Sequence, residues 1–379
     1  MATQATEWRV TLSDIDLGAE ETAAVLEVLR SRWLSMGART LEFERAFSEH
    51  TETTHAVAVS SGTAALHLAL LAVGVKSGDE VIVPALTFVA TANAALYCGA
   101  RPVFGDICGA DTPLLDPDDV ERKITSRTRA IVPVHYGGYS CDMDALRDLA
   151  ERHAIHLIDD AAHAIGSTWK GHPVGSLAEA ACFSFFANKN LVTGEGGMVA
   201  TNDDDIAAFV RTNRSHGMTA ASYDKHRGHA FTYDVVSTGY NYRLTEIESA
   251  LGLVQLRKLE RNNARRRELV QRYRDLLGEI DGLVLPFAGR DDESACHLFA
   301  VVLPESADRQ RIQEGLKAAG IQSSIHYPSI PGFSAFRERY EANVPRVDEI
   351  AARLLTLPLH PLMSIEDVEL VSKELRQFF

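Results

Sequence analysis

Between residues 55 and 202, short apolar runs alternate with segments of helical pattern, and that alternation constrains the fold more than anything else in the chain. "HAVAVS" leads through "SGT" into "AALHLALLAVG". "EVIVPALTF" leads into "VATANAALYCG", and "AIVPVHYGG" into "DMDALRDLAERH". "IHLIDDAAHAIG", "ACFSFF" and "MVATN" close the series. Strands that alternate with helices predict a mostly parallel sheet covered on both faces. In such a sheet, ligands bind at the carboxyl ends of the strands. Beyond about Tyr242 the pattern changes. "LTEIESALGLVQLRKLERNNARRRELVQRYRDLL" reads as one long helix with apolar stripes at Ile247, Leu251 and Val254 and at Leu269, Tyr273 and Leu276. The remainder reads as a small α+β unit. The expected division is therefore residues 1–250 and 251–379, within the long helix.

The strand ends carry the candidate chemistry. Ser61-Gly62-Thr63 stands directly before a helix, where unpaired N–H groups and the positive dipole end suit an anion. Such a start is more often a plain N-cap. Asp159-Asp160 ends the fourth run, either as a solvated pair, as a cap for "AAHAIG", or as a buried carboxylate that needs a cation. His163, read as helical, falls one turn after Asp160 on the same side; it is more often a satisfied polar residue than a catalyst. Phe88 follows "VIVPAL", and packing into the core is the commoner role. "SFFANKNLVTGEGG" (184–197) sets Lys189 in a polar turn between two apolar strands. A loop lysine is normally solvated, but one held over the same edge as Gly62 and Asp160 would lose proton affinity and become a nucleophile. Glycines 194, 196 and 197 free the backbone beside it, or simply make a tight turn with Glu195 exposed. Together the residues describe one ligand: an anion, a flat ring, a protonated ring nitrogen and a carbonyl for an amine. Pyridoxal phosphate (PLP) has all four.

Composition narrows the alternatives. The 379-residue chain has a net charge of −14, with 46% hydrophobic and 24% charged residues. Phosphate neutralisation requires a basic surface, so nucleic-acid binding is not expected. Five cysteines (98, 108, 141, 182, 296) without CxxC spacing argue against a disulfide framework or a zinc site, and no metal is expected. "MATQATEWRV" lacks a signal-peptide pattern. The longest apolar stretch, "AALHLALLAVGV", falls short of the roughly 18 residues of a membrane span. A cytoplasmic protein is expected, with no membrane partner. A nicotinamide dehydrogenase fails for want of G-x-G-x-x-G after the first strand.

The motifs also stand in a familiar order. "RSRWLSMG", "SSGTAALHLAL", "VPALTFVATANA", "DDAAHAIGS", "SFFANKNLVTGEGG", "RSHG", "GYNYRLTEIESALGLVQL" and "IHYPSI" run nearly the length of the chain. On them the sequence resembles the sugar-nucleotide aminotransferases, the DegT/StrS group of fold-type I PLP enzymes. The resemblance implies an aspartate-aminotransferase-like α/β fold: a large domain with a mostly parallel seven-stranded sheet and a small C-terminal α+β domain. It implies that Lys189 forms the Schiff base and shuttles the proton, and that Asp160 pairs with the ring nitrogen. Phe88 would stack on the ring and His163 would lie beside it. Gly62, Thr63, Ala64 and Ser184 would hold the phosphate, joined by Asn241 from the other subunit of a homodimer. Trp33, Arg243, His326 and Tyr327 would face the substrate. The implied reaction is ping-pong transfer of an amino group from L-glutamate to a keto-deoxysugar nucleotide. The preferred substrate is a thymidine-diphosphate 4-keto-6-deoxyhexose such as 4-keto-6-deoxyglucose, aminated at C4 in amino-sugar biosynthesis. A 3-keto sugar nucleotide, a keto-cyclitol and a PLP-binding regulator are the alternatives. The deoxygenating branch of the group carries histidine at the lysine position, so Lys189 disfavours deoxygenation. Gly105 in "FGDI" stands where an apolar residue is expected.

Overall fold

The structure, a computed structural model, describes residues 8–219 and 232–379. Two helices, α1 (Ala19–Ser31) and α2 (Ala38–Thr51), precede the alternating region. There β1 (His55–Val59), α3 (Gly62–Ala72), β2 (Glu80–Pro84), α4 (Ala90–Tyr97), β3 (Arg101–Gly105), α5 (Pro117–Lys123), β4 (Thr128–Ile131), α6 (Met143–His153) and β5 (His156–Asp160) follow in order. A small hairpin, β6 (Thr168–Trp169) and β7 (His172–Pro173), leads to β8 (Ala180–Ser184), β9 (Gly197–Thr201) and α7 (Asp204–Asn213).

Seven of these strands form one sheet in the order β1-β9-β8-β5-β4-β2-β3. The run from β3 to β8 is parallel; β9 lies antiparallel to both β8 and β1. Every residue of β2 and β9 is buried, as expected of strands covered on both faces. Strand alternation divides β8 between two cores. Cys182 joins the large core and Phe183 the second one. The rings of Phe183 and Phe185 pack on Phe47 of α2, at centroid distances of 5.0 and 5.6 Å. This anchors the strand from which the lysine loop springs.

The long helix, α8, spans Glu246–Leu277 and opens with a capping box between Thr245 and Glu248. The Glu246 carboxylate also accepts the N–H groups of Gly37, Arg39 and Thr40 at 2.8–2.9 Å, so it caps α2 as well. The sequence stripe was partly misplaced. Val254, Leu269 and Tyr273 are buried, but Ile247, Leu251 and Leu276 are only half-buried. Ser249, Gln255, Asn262, Asn263 and Arg266 occupy buried positions instead. A hydrophobic periodicity cannot register a face whose partners are backbone carbonyls and amides. The expected division near residue 250 falls in the first turns of α8.

Beyond α8, β10 (Phe299–Val302) and β11 (Leu354–Leu357) pair antiparallel, flanked by α9 (Arg309–Ala318), α10 (Pro345–Ala351) and α11 (Ile365–Arg376). Gly105 has a packing explanation. A Cβ there would sit 2.5 Å from Leu115 Cδ1, and Leu115 is buried. Among the described residues, no helix is long and apolar enough to cross a membrane.

Candidate active site

Three backbone segments meet at the carboxyl edge of the sheet. A Cβ on Gly62 would lie 2.8 Å from Ser184 Cβ. A Cβ on Gly197 would lie 2.5 Å from the Ser61 carbonyl carbon and 2.7 Å from Gly62 N. Glycine at both positions lets the start of α3, the end of β8 and the start of β9 close into a cradle. Ser61 caps α3, its Oγ accepting the Ala64 N–H at 3.1 Å. The Ala64 amide is thereby engaged. The amides of Gly62 and Thr63 have no partner among the described residues and remain for an anion. Ser184 Oγ lies against Gly62 and accepts a long bond, 3.4 Å, from Phe186 N–H.

Asp159 and Asp160 part company because consecutive strand residues face opposite ways. Asp159 turns to His135, 3.3 Å away, with both side chains fully buried. The Cys141 N–H donates to His135 Nδ1 at 3.1 Å, which leaves the Nε2–H to face Asp159. Asp160 faces the cradle side. Its Oδ2 accepts from Thr91 Oγ1 at 2.8 Å and its Oδ1 from Ala162 N–H at 3.2 Å. Burial pushes the Asp160 carboxyl above its ordinary value; Thr91, the Ala162 amide and Lys189 pull the other way. Such a carboxylate is suited to a cation placed against it.

Lys189 hangs from the loop between β8 and β9, its N–H bonded to Phe186 O at 2.9 Å. Burial lowers its amine from 10.5 to about 8, opposed by the nearby Asp160 charge. Around it stand imidazoles that burial keeps neutral. His163 is held well below its usual range by burial, Lys189 and His326. His326 is pushed down to about 4 by burial and Lys189. Gly137 N–H donates to His163 Nδ1 at 3.3 Å, so the proton is assigned to Nε2, which donates to Tyr327 OH at 3.0 Å. Burial also raises the Tyr327 phenol. His163 does not reach this place along a helix. Residues 161–166 make successive turns, closed by Ala162 N–H on Asp160 and Ala164 N–H on Ala161 O, because Asp160 offers the backbone a local acceptor.

The remaining expected residues are scattered around this centre. Phe88 is 57% exposed, with its ring 6.0 Å from that of Tyr327. It is not a core residue, and its free face suits a flat ligand. His326 Nδ1 lies 3.0 Å from Thr356 Oγ1. Asn241 is exposed and directly precedes in the chain a backbone tie to the residue after β1: the Ser60 N–H donates to Tyr242 O at 2.8 Å. Arg243 Nη1 is buried without a partner among the described residues, and burial and Arg214 lower the guanidinium. Trp33 ties the turn before α2, its indole N–H donating to Met36 O at 3.2 Å. Glu195 is exposed, between Gly194 and Gly196 at φ +91° and +149°.

Sequence reasoning passed over Thr91, Asn190 and His297. Thr91 was within reach, one turn beyond Phe88 at the start of α4. Asn190 and His297 carry no local signal and meet only through the fold. Among the described residues no group of side chains is arranged to hold a metal ion.

The cradle, buried carboxylate, aromatic face and depressed amine suit a phosphorylated, positively charged aromatic aldehyde. Comparison with solved structures points to the same class. A putative sugar aminotransferase of Streptococcus pneumoniae, in its PLP-form, superposes with a TM-score of 0.90 at 33% identity, over 97% of each chain. DesI, determined in the presence of its TDP-sugar product, superposes with a TM-score of 0.89 at 32% identity, over 99% of this chain and 93% of that one. A curated relative, the spore coat polysaccharide biosynthesis protein SpsC of Bacillus subtilis, is 40% identical over 368 residues, 95% of this chain and 94% of SpsC. The fold is that of the α/β sugar aminotransferases. Over residues 15–376 the chain matches, and belongs to, the DegT/DnrJ/EryC1/StrS aminotransferase family.

Proposed function

We propose that this aminotransferase uses pyridoxal phosphate to move an amino group from L-glutamate to a keto-deoxysugar nucleotide. The preferred acceptor is a thymidine-diphosphate 4-keto-6-deoxyhexose, aminated at C4. The observation that carries the proposal is a lysine amine lowered to about 8, set between a buried carboxylate and neutral imidazoles beside an anion cradle. Bound there, the cofactor supplies an electron sink for the carbon acid of the donor. The chain's own residues do the rest. The amides of Gly62 and Thr63 and Ser184 Oγ hold the phosphate. Asp160 pairs with the ring nitrogen, Phe88 covers one face, and His163 stands at the edge with Tyr327. Lys189 Nζ, neutral for much of the time near pH 8, would take the proton from the donor Cα and return it to the carbon on the far side of the transferred nitrogen. Trp33, Arg243, His326 and Tyr327 are assigned to the substrate side. An unpartnered guanidinium nitrogen at Arg243 supports an anionic substrate group.

The active unit is a homodimer in which Asn241 of a second copy reaches the phosphate. The exposure of Phe88, Tyr97, Phe186, Val235 and Val236 supports a partner surface. The TDP-sugar product of DesI supports the nucleotide, and a cytoplasmic location suits such a substrate. The test is mass spectrometry of products from a panel of 3-keto and 4-keto sugar nucleotides with glutamate. An amino sugar from the 4-keto-6-deoxy substrate is expected. An amino product from the 3-keto substrates alone would overturn C4 amination.

A further inference from the structure

Thr87 and Thr91 stand on either side of Phe88, where the chain turns from β2 into α4. Both are buried, at 2% and 1% exposure, whereas Phe88 between them is 57% exposed. Their hydroxyl oxygens lie 3.0 Å apart. Thr91 Oγ1 is also 2.8 Å from Asp160 Oδ2 and 3.2 Å from Phe88 O. A hydroxyl has one proton to give. The nearer acceptor is also the charged one, so Thr91 donates to Asp160. Thr91 Oγ1 is then left as an acceptor towards Thr87, whose hydroxyl has no other partner among the described residues. The direction of the chain is thereby fixed: Thr87 to Thr91 to the Asp160 carboxylate. The Phe88 carbonyl keeps the Thr91 N–H, at 3.2 Å. One residue, Thr91, therefore closes the turn that displays the Phe88 ring and holds one oxygen of Asp160.

Asp160 has few other donors. Its Oδ1 accepts the Ala162 N–H at 3.2 Å, and no third donor bonds to the carboxylate among the described residues. The last torsion of an aspartate is broad, so two bonds from different elements, one on each oxygen, are what fix the carboxylate plane. Burial pushes the carboxyl up, and the Thr91 hydroxyl is foremost among the groups that pull it back. The charged and titratable groups that face Asp160 come from several elements. Lys189 from the loop after β8 and His135 from the turn after β4 favour its charge. The Cys182 thiol on β8 and the Tyr327 phenol, both raised by burial, are raised further by Asp160.

We propose that Thr91, oriented by Thr87, is the positioning residue that holds Asp160 as a carboxylate aimed at the ring nitrogen of the bound cofactor while setting Phe88 over the same ring. The inference rests on the pairing of Asp160 and Phe88 with that ring proposed above. Because the donor comes from α4 and the carboxylate from β5, one hydrogen-bonded chain sets the ring face and the ring nitrogen relative to each other.

Valine at position 91 keeps the branched shape and removes the hydroxyl; serine keeps the hydroxyl. In cofactor-free protein labelled at the aspartate carboxyls, carbon NMR reads the Asp160 titration, assigned by its loss in Asp160→Asn. T91V is expected to move that midpoint up by about one to two pH units, since a hydrogen bond to a charged group is lost. T91S should move it less than half as far, and T87V less than T91V. In the same protein, the pH dependence of Lys189 acylation, read by peptide mass spectrometry, should show its midpoint moving down in T91V, because a turned or partly neutral carboxyl supports the ammonium less. With cofactor and the working substrate, T91V should lose about tenfold or more in kcat. A carboxyl raised further is protonated at higher pH, so the acid limb of kcat/KM should move up with it. An Asp160 midpoint that stays in place in T91V, or one that moves as far in T91S as in T91V, overturns the proposal. A Lys189 midpoint that rises in T91V overturns it too. Neither midpoint depends on cofactor or turnover, so failure of the proposed reaction remains distinguishable from failure of this role.

Discussion

Replacing Lys189 by methionine should stabilise the cofactor-free protein, by an amount that depends on pH. The amine titrates at 10.5 when solvated and at about 8 in the folded chain, because burial disfavours its charge. At about 1.36 kcal/mol per pH unit, that gap costs the folded state about 3.4 kcal/mol wherever the lysine is charged in both states. Two effects reduce the gain in the variant. Lys189 keeps partial solvent contact, and Asp160 loses a nearby cation that helps it ionise. A net gain of about 2 kcal/mol at pH 7 follows. Between pH 8 and 10.5 the unfolded chain binds more protons than the folded one, so wild-type stability climbs. The penalty is complete below about 8 and gone above 10.5. Methionine carries no proton, so its advantage should fall to less than half by pH 10. Urea unfolding of both proteins at pH 7 and pH 10 measures this. An equal advantage at both pH values would mean that apolar packing, not desolvated charge, sets the lysine's environment. No advantage at pH 7 would refute the depressed amine outright.

Asp160→Asn should lower kcat at least about a hundredfold, since an amide cannot keep a ring nitrogen protonated; it should also lower the Lys189 acylation midpoint below about 8, because Asp160 supports the ammonium. An unchanged midpoint would separate the two groups. Gly197→Ala drives a Cβ to 2.5 Å from the Ser61 backbone, so cofactor affinity measured by fluorescence should fall about tenfold or more, while Gly194→Ala, which meets nothing within 4 Å, should leave the cradle closed and act only through backbone strain at φ +91°. Mixing inactive Lys189→Ala with inactive Asn241→Ala protomers should restore part of the activity. Activity that stays absent on mixing would count against a site shared between subunits.

Much of this site was legible because its parts lie at strand ends. Ser61-Gly62-Thr63, Asp160 and Lys189 each follow an apolar run, and a parallel sheet brings the ends of such runs to one edge. Phe88 was legible only as an aromatic; its exposure, which makes it a ligand surface, is a property of the folded chain. His163 was found for a mistaken local reason: turns, not a helix, carry it to Tyr327. Gly105 had no explanation until Leu115 was seen to fill the space beside it.

By itself, then, the sequence determined the alternation and the mostly parallel sheet and singled out Lys189 as the candidate amine, because period, turn chemistry and residue type act over a few neighbouring positions. Only the tertiary structure decided which aspartate faces the site, which nitrogen of His135 and His163 carries the proton, and that Asn190 meets His297 across 107 positions of chain. Hydrogen-bond direction and desolvation depend on what stands opposite each group, and those partners come from other strands and helices.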